Sequence, residues 1–170
     1  EDRFRIRQKS RYADKDYDME MTRRGLWHST MAGGVANIWG YLDGKESELG
    51  SREYSYPEQI KTYSEFFSNR FLKDMVRDNT ITDGVCLKDS QKTHYIFYKE
   101  NTASIEMDLA AMSGAQEAIA VDTKKPYSEN LIGLLTPEKH IWNAEYQSDW
   151  AIAVGDFTSS DTQKTSKGMR

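Results

Sequence analysis

The first fifty residues carry a helical pattern of apolar positions followed by one short apolar run. The helical pattern begins near Met19, after Asp16 and Asp18 offer capping side chains, and the Gly33-Gly34 pair ends it. The run 35–39 is short and partly β-branched, which predicts a buried strand. Helix, Gly-Gly and buried strand in this order are typical of an α/β unit with a parallel sheet. The helical positions are Leu26, Trp27, Thr30 and Met31.

A second helix is predicted after Ser55-Tyr56-Pro57-Glu58, which has the form of a capping box with proline in the first turn. Apolar side chains then recur at steps of three and four residues and form one stripe. The stripe consists of Ile60, Tyr63, Phe67, Phe71 and Met75.

From about Thr80 to Phe157 the period changes from helical to two. Ile105, Met107 and Leu109 alternate with polar residues, and short apolar runs are separated by turn residues at spacings near ten. About seven short strands at this spacing are typical of a β-sandwich. The other runs are 85–87, 94–98, 118–121, 131–134, 140–142 and 150–154.

Composition narrows the function classes. The 170 residues carry 23 Lys+Arg against 27 Asp+Glu, a net charge of −4, which is a poor match for nucleic acid. The 12% of aromatic residues supply enough bulk for a core, so global disorder is excluded. No apolar run reaches the roughly 18 residues of a membrane span, and the mean hydropathy is −0.79. We therefore expect no nucleic-acid partner and no membrane span.

These patterns predict three regions: the end of an α/β domain at 1–78, a β-sandwich at 79–157 and a disordered tail at 158–170. Two α/β units cannot bury both faces of a parallel sheet. We therefore expect upstream sequence or a partner chain, and we take Glu1 as an internal position of a longer protein.

The segment Arg23–Gly40, RRGLWHSTMAGGVANIWG, resembles the last helix–strand unit of an apiosidase-like (β/α)8-barrel glycoside hydrolase. In that family the barrel is followed by a β-sandwich labelled a collagen-binding domain. The resemblance implies an α/β plus all-β fold class, with the last βα units of a (β/α)8 barrel followed by a small antiparallel β-sandwich. It also implies hydrolysis of an oligosaccharide or polysaccharide. An N-terminal barrel portion, in the same protein or a separate chain, is the implied partner besides carbohydrate.

The resemblance implies catalytic and substrate-binding residues as well. Glu1 stands where such barrels carry a catalytic glutamate, which would make it the nucleophile of a retaining two-carboxylate mechanism. The acid/base would then lie outside this chain. Arg3 and Arg5 could hold a sugar carboxylate or sulfate, and Asn37 and Trp39 could contact sugar hydroxyls and a pyranose face. The alternatives are exposed charge for Glu1 and the arginines, and core packing for Asn37 and Trp39.

No cofactor and no metal site are expected. Cys86 is the only cysteine, no His-x-x-His pair exists, and the aspartates at 14, 16 and 18 lack the later positions of a calcium loop. In the predicted sandwich, Trp142, Tyr146 and Trp150 are candidate glycan contacts, although Trp150 alternates with core positions. The resemblance favours a secreted or periplasmic location. The competing hypothesis is a non-catalytic module for glycan binding or assembly.

Overall fold

The computed structural model describes residues 19–33, 56–68, 70 and 72–157. Within these ranges two helices precede six strands, and a single turn of 3-10 helix at Asn79–Ile81 separates the first two strands. The helices are α1 (Met19–Met31) and α2 (Pro57–Phe67). The strands are β1 (Val76–Arg77), β2 (Val85–Lys88), β3 (Tyr95–Asp108), β4 (Gln116–Asp122), β5 (Asn130–Leu135) and β6 (Lys139–Val154).

All six strands form one sheet in the order β1-β2-β3-β6-β4-β5, and every pairing is antiparallel. The two longest strands, β3 and β6, lie side by side at its centre and pair from Tyr95↔Val154 to Asp108↔Lys139. The pairing slips twice between Lys99 and Ser104, which marks a bulge. A bulge bends a strand without ending it, so β3 and β6 each run through the whole sheet.

The predicted fold class is therefore wrong for the described residues. They form a single antiparallel sheet with two helices, in place of the last βα units of a (β/α)8 barrel followed by a small antiparallel β-sandwich. The run 94–98 joins the run 105–109, and the run 140–142 joins 150–154, because each pair is one continuous strand. Joining these runs converts the two expected sheets into one.

One face of the sheet buries a cluster to which both halves of β3 and β6 contribute. Tyr95 and Phe97 come from the first half of β3, and Ile105 and Met107 come from the second half. Trp150, Ile152 and Val154 supply the β6 side. Residues from both sides of the bulge therefore contribute to one cluster.

The two helices cover the opposite face of the sheet. Trp27 of α1 is fully buried and stacks on Tyr98 of β3, with ring centroids 5.1 Å apart. Phe66 of α2 packs against the same indole at 5.1 Å. Ala151 and Ala153 alternate with the large buried side chains of β6 and belong to this second cluster. Their small side chains suit a strand whose two faces are both covered.

Both helices begin near the predicted positions, and their ends differ. The start of α1 near Met19 is confirmed, and the helix ends at Met31, just before Gly33 with its φ of +86°. In contrast, α2 ends at Phe67, so the helical stripe predicted to reach Met75 is wrong in its last turns. The N-cap residue of α2 is Tyr56, which is left-handed and makes no side-chain cap, and Ser55 of the predicted capping box lies outside the described residues.

Gly155 follows β6 at a point where the backbone approaches the β2–β3 connection closely. Its φ is +121°, and an added Cβ would lie 2.6 Å from the carbonyl oxygen of Thr93 and 2.8 Å from the His94 ring. The His94 ring is itself held, since Nε2 lies 2.9 Å from the carbonyl oxygen of Asp156. Only glycine fits here without displacing this contact.

We expect Gly155→Ala to lower the free energy of unfolding by at least about 2 kcal/mol, because backbone strain and a clash with fixed atoms act together. Urea unfolding followed by far-UV circular dichroism measures the change.

Gly133→Ala is the matched control for backbone strain. Gly133 also has a positive φ, +104°, but a Cβ there meets nothing within 4 Å. Gly133→Ala should lower the free energy of unfolding by about 1 kcal/mol. If both variants lower the free energy of unfolding equally, the close approach at Gly155 does not contribute to the effect of its substitution.

Candidate functional site

The densest group of charged side chains in the described residues surrounds Asp149 of β6. The Asp149 carboxylate is fully buried and accepts hydrogen bonds from Arg23 at 2.6 Å and from Arg24 at 2.9 and 3.1 Å. The backbone N–H of Asn101, in the bulge of β3, donates a further bond of 2.8 Å. One carboxylate therefore joins α1 to both central strands of the sheet.

The same group also reaches α2 and the β4–β5 connection. Arg23 is buried, and while its Nη2 bonds to Asp149, its Nη1 donates to Oε1 of Gln59 at 2.8 Å. Gln59 donates in turn to the carbonyl oxygen of Lys124 at 3.2 Å. Thr62, one turn further along α2, donates to the carbonyl oxygen of Lys125 at 2.6 Å. Both helices are thus tied by polar groups to the sheet and its loops.

A second, more exposed carboxylate adjoins the first. Glu100 of β3 lies 2.8 Å from His28 Nε2 and 3.4 Å from Arg24 Nε. The Tyr98 hydroxyl donates to the same carboxylate at 3.1 Å. Arg24 therefore bridges Glu100 and Asp149.

These partners fix the ionisation of both carboxylates. Burial acts to raise the pKa of Asp149, but hydrogen bonds from Arg24, the Asn101 amide and Arg23 outweigh it and hold the pKa well below its usual range. At Glu100, burial is likewise outweighed, chiefly by His28, and the pKa is lowered. The hydrogen bond to Asp149 raises the pKa of Arg24. Carboxylates held ionised in this way cannot supply a proton near neutral pH, so this group is suited to holding the helices in place.

The residues that sequence reasoning placed in the site are not among the described residues. Glu1, Arg3, Arg5, Asn37 and Trp39 all lie outside the described ranges. Their roles stay predictions.

The three candidate glycan-binding aromatics of the sheet are described. Trp150 is buried in the core, as its alternation predicts, and Trp142 packs edge-on against it at 5.0 Å between ring centroids. Tyr146 is 39% exposed, but the Lys125 ammonium lies 4.1 Å from its ring centroid, and Asp122 accepts from its hydroxyl at 2.9 Å. Trp150 is thus unavailable to a sugar, whereas Trp142 is half-buried and Tyr146 is partly exposed.

The described surface includes two cavities large enough for a small molecule. The first, here the β3–β6 cavity, has a volume of about 320 Å³ and lies over the distal halves of the two central strands. The second, the Arg70 cavity, has about 360 Å³ and lies between Arg70 of the α2–β1 connection and the end of β6. The β3–β6 cavity is lined by Thr80, Ile81, Thr82, Asp83, Glu106, Met107, Asp108, Lys139, His140 and Ile141.

In the described part of the chain, no group of three or more His, Cys, Asp or Glu side chains could hold a metal ion. Cys86 is buried, and burial raises the pKa of its thiol, so it is not a reactive nucleophile. No described helix is long and apolar enough to cross a membrane.

Sequence reasoning missed the Asp149 group. The available signals were two adjacent arginines in a helix with a buried tryptophan, and an aspartate directly ahead of the buried strand 150–154. Arg23 and Asp149 are 126 positions apart in the sequence, so only the folded sheet brings them together.

We expect Asp149→Asn to lower the free energy of unfolding by about 3–5 kcal/mol at pH 7, because it leaves the buried Arg23 without its counter-charge. The pKa of Asp149 is lower in the folded chain than the ordinary value of about 3.9. The stabilisation from the ionised carboxylate is thus complete above about pH 5 and is lost as the pH falls below it. Urea unfolding between pH 7 and pH 3 measures both effects, and the Asp149→Asn variant should lose less stability on acidification than the native chain.

Glu100→Gln provides the comparison, since Glu100 bonds to the same Arg24 from a more exposed position. Glu100→Gln should lower the free energy of unfolding by about 1 kcal/mol or less. A loss at Asp149 no larger than that at Glu100 would contradict the role assigned to the buried carboxylate.

Two solved structures share this fold. A glycoside hydrolase matches with a TM-score of 0.64 at 16% identity, over 84% of this chain and 38% of that chain. A glycoside hydrolase family 5 protein from Bacteroides vulgatus ATCC 8482 matches with a TM-score of 0.65 at 13% identity, over 91% of this chain and 40% of that chain. No protein-family profile and no curated protein sequence matches. The chain thus has a fold found in glycoside hydrolase structures, and it spans about two fifths of their length.

Proposed function

We propose that this chain is part of a glycoside hydrolase that acts on an oligosaccharide or polysaccharide, and that its described sheet and helices form a non-catalytic module. The observation that carries the proposal is the shared fold with two glycoside hydrolase structures over 84% and 91% of the chain. Both of those chains are much longer than this one, which leaves room for catalytic groups elsewhere in the parent protein.

The ionisation of the described carboxyls supports the non-catalytic role. Hydrolysis of a glycosidic bond needs one carboxyl that stays protonated to act as the general acid, and its pKa must therefore be raised. Among the described Asp and Glu residues, every carboxyl with a shifted pKa has it lowered. These residues are Asp74, Asp78, Asp89, Glu100, Glu129 and Asp149.

The catalytic pair then belongs elsewhere. The proposed nucleophile of a retaining mechanism is Glu1, with Arg3, Arg5, Asn37 and Trp39 as substrate contacts. The acid/base comes from an N-terminal barrel portion, in the same protein or a separate chain. Retaining hydrolysis needs its two carboxyls about 5–5.5 Å apart, so neither portion alone completes the pair.

We expect Glu1→Gln to lower kcat of the parent protein by at least about a thousandfold, since an amide cannot form the glycosyl-enzyme bond. Release of nitrophenol from aryl glycosides measures kcat and KM.

Glu145→Gln is the control, because Glu145 is an exposed carboxylate of β6. It should leave kcat unchanged. Full activity in the Glu1→Gln variant would rule out Glu1 as the nucleophile, and hydrolysis by the 170-residue chain alone would rule out the divided catalytic pair.

A module for glycan binding or assembly is the second candidate function. The exposed apolar side chains of the edge strand β5 favour it: Leu131 is 75% exposed and Leu134 is 65% exposed. An edge strand with such side chains is open to pairing with another chain. A stable complex of the 170-residue chain with a second chain, together with a parent protein that hydrolyses no glycoside, would favour this alternative.

A further inference from the structure

The β3–β6 cavity lies on the half of the sheet that the helices do not cover. Glu106 and Asp108 of β3 alternate with the buried positions Ile105, Met107 and Leu109 and point away from their cluster. Their partners across the strand pair are Ile141 and Lys139. Thr82, after the 3-10 turn, bridges to Met107 and closes one side of the cavity.

The residues that line this cavity include both polar and apolar side chains. Thr80 and Thr82 contribute hydroxyl groups, whereas Ile81 and Ile141 contribute methyl and methylene surface. Ile141 is 64% exposed, although its neighbours on that face of β6 are polar. The volume of about 320 Å³ lies at the lower end of the range for small-molecule sites.

Most polar groups of the cavity already have partners, and Glu106 is the exception. Asp83 is paired with Lys99 and accepts from the Glu106 backbone N–H at 3.0 Å. Asp108 lies 3.3 Å from the Lys139 ammonium. No described residue bonds to the Glu106 carboxylate. Two carboxylates are thus neutralised and a third keeps free acceptor atoms.

The two threonines also keep bonding capacity toward the cavity. The Thr80 hydroxyl donates to Asp78 at 2.6 Å, which leaves its oxygen able to accept. The Thr82 oxygen accepts from the Gly84 N–H at 3.3 Å, which leaves its O–H able to donate. A ligand that both donates and accepts hydrogen bonds therefore matches this wall.

Charge and shape together select the chemical class of the ligand. The excess carboxylate disfavours an anion, and the described side chains provide no metal site. A neutral polyol fits, because its hydroxyls can donate to Glu106 and exchange bonds with the threonines, while a C–H face covers Ile141.

We propose that the β3–β6 cavity binds one sugar unit of a neutral glycan, with Glu106 accepting from sugar hydroxyls and Ile141 contacting the apolar face of the ring. The choice of a glycan over other polyols rests on the proposed function, and the position of the site rests on the cavity itself.

The test is an NMR titration of the 15N-labelled 170-residue chain with cellohexaose, xylohexaose and mannohexaose. At least one should bind with a Kd of about 1 mM or tighter and shift the amide signals of Thr82, Glu106 and Ile141. Glu106→Gln should weaken that binding about tenfold, because a charged acceptor is lost. Ile141→Ser should weaken it several-fold without affecting the fold, since the side chain is exposed.

The Glu145→Gln chain serves as the matched control, since Glu145 is an exposed carboxylate of the same strand outside the cavity lining. It should bind like the native chain. The proposal is overturned if none of the three neutral glycans binds, if the shifted signals lie away from the cavity, or if an oligogalacturonide or spermidine binds more tightly than every neutral glycan.

Hydrolysis by the parent protein separates this proposal from the proposed function. An active parent whose 170-residue chain binds no neutral glycan refutes the cavity proposal alone. Glycan binding at the cavity in a protein without hydrolase activity refutes the hydrolase alone.

Discussion

The contact between the α1 arginines and Asp149 determines how the helices sit on the sheet. It lies where α1, α2 and the two central strands meet, and Arg23 and Asp149 are both excluded from water. A buried charge without its partner costs several kcal/mol. Any other placement of the helices would separate Arg23 from Asp149 and would therefore cost more free energy than the loss of an apolar contact. The stacking of Trp27 on Tyr98 then buries apolar surface and stabilises the same arrangement of α1 on the sheet.

The helix-covered half of the sheet and its distal half differ in how their polar groups are bonded. Under the helices, the carboxylates of Asp149 and Glu100 are held by cationic partners and have lowered pKa values, whereas Arg23 Nε and Trp27 Nε1 are buried without a hydrogen-bond partner in the described part of the chain. On the distal half of the sheet, the Glu106 carboxylate has no hydrogen-bond partner among the described residues, and Ile141 is exposed.

Local patterns predicted the elements well and their assembly poorly. Alternation located the strand runs of the sheet, and the Gly-Gly pair located the end of α1, because both signals depend on near neighbours. The division into two sheets failed at the bulge between Lys99 and Ser104, where polar residues interrupt the alternation but the strand continues. The helix α2 ended before its stripe did, since apolar spacing does not encode where tertiary contacts stop a helix. The Asp149 group escaped prediction for the same reason, because its members meet only after the sheet has formed.

The central position of β6 also determines when the chain can fold during its synthesis. This strand comes last among the described elements, yet it pairs with β3 and β4 and carries Asp149 for α1. The centre of the sheet therefore cannot form until Val154 is available to pair with Tyr95. The helices likewise cannot dock fully until β6 is present. Long-range pairing of this kind makes folding slow and leaves the edges of β3 and β4 unpaired in the nascent chain. The end of β6 must leave the ribosome before the two parts of the sheet, β1-β2-β3 and β4-β5, can be joined.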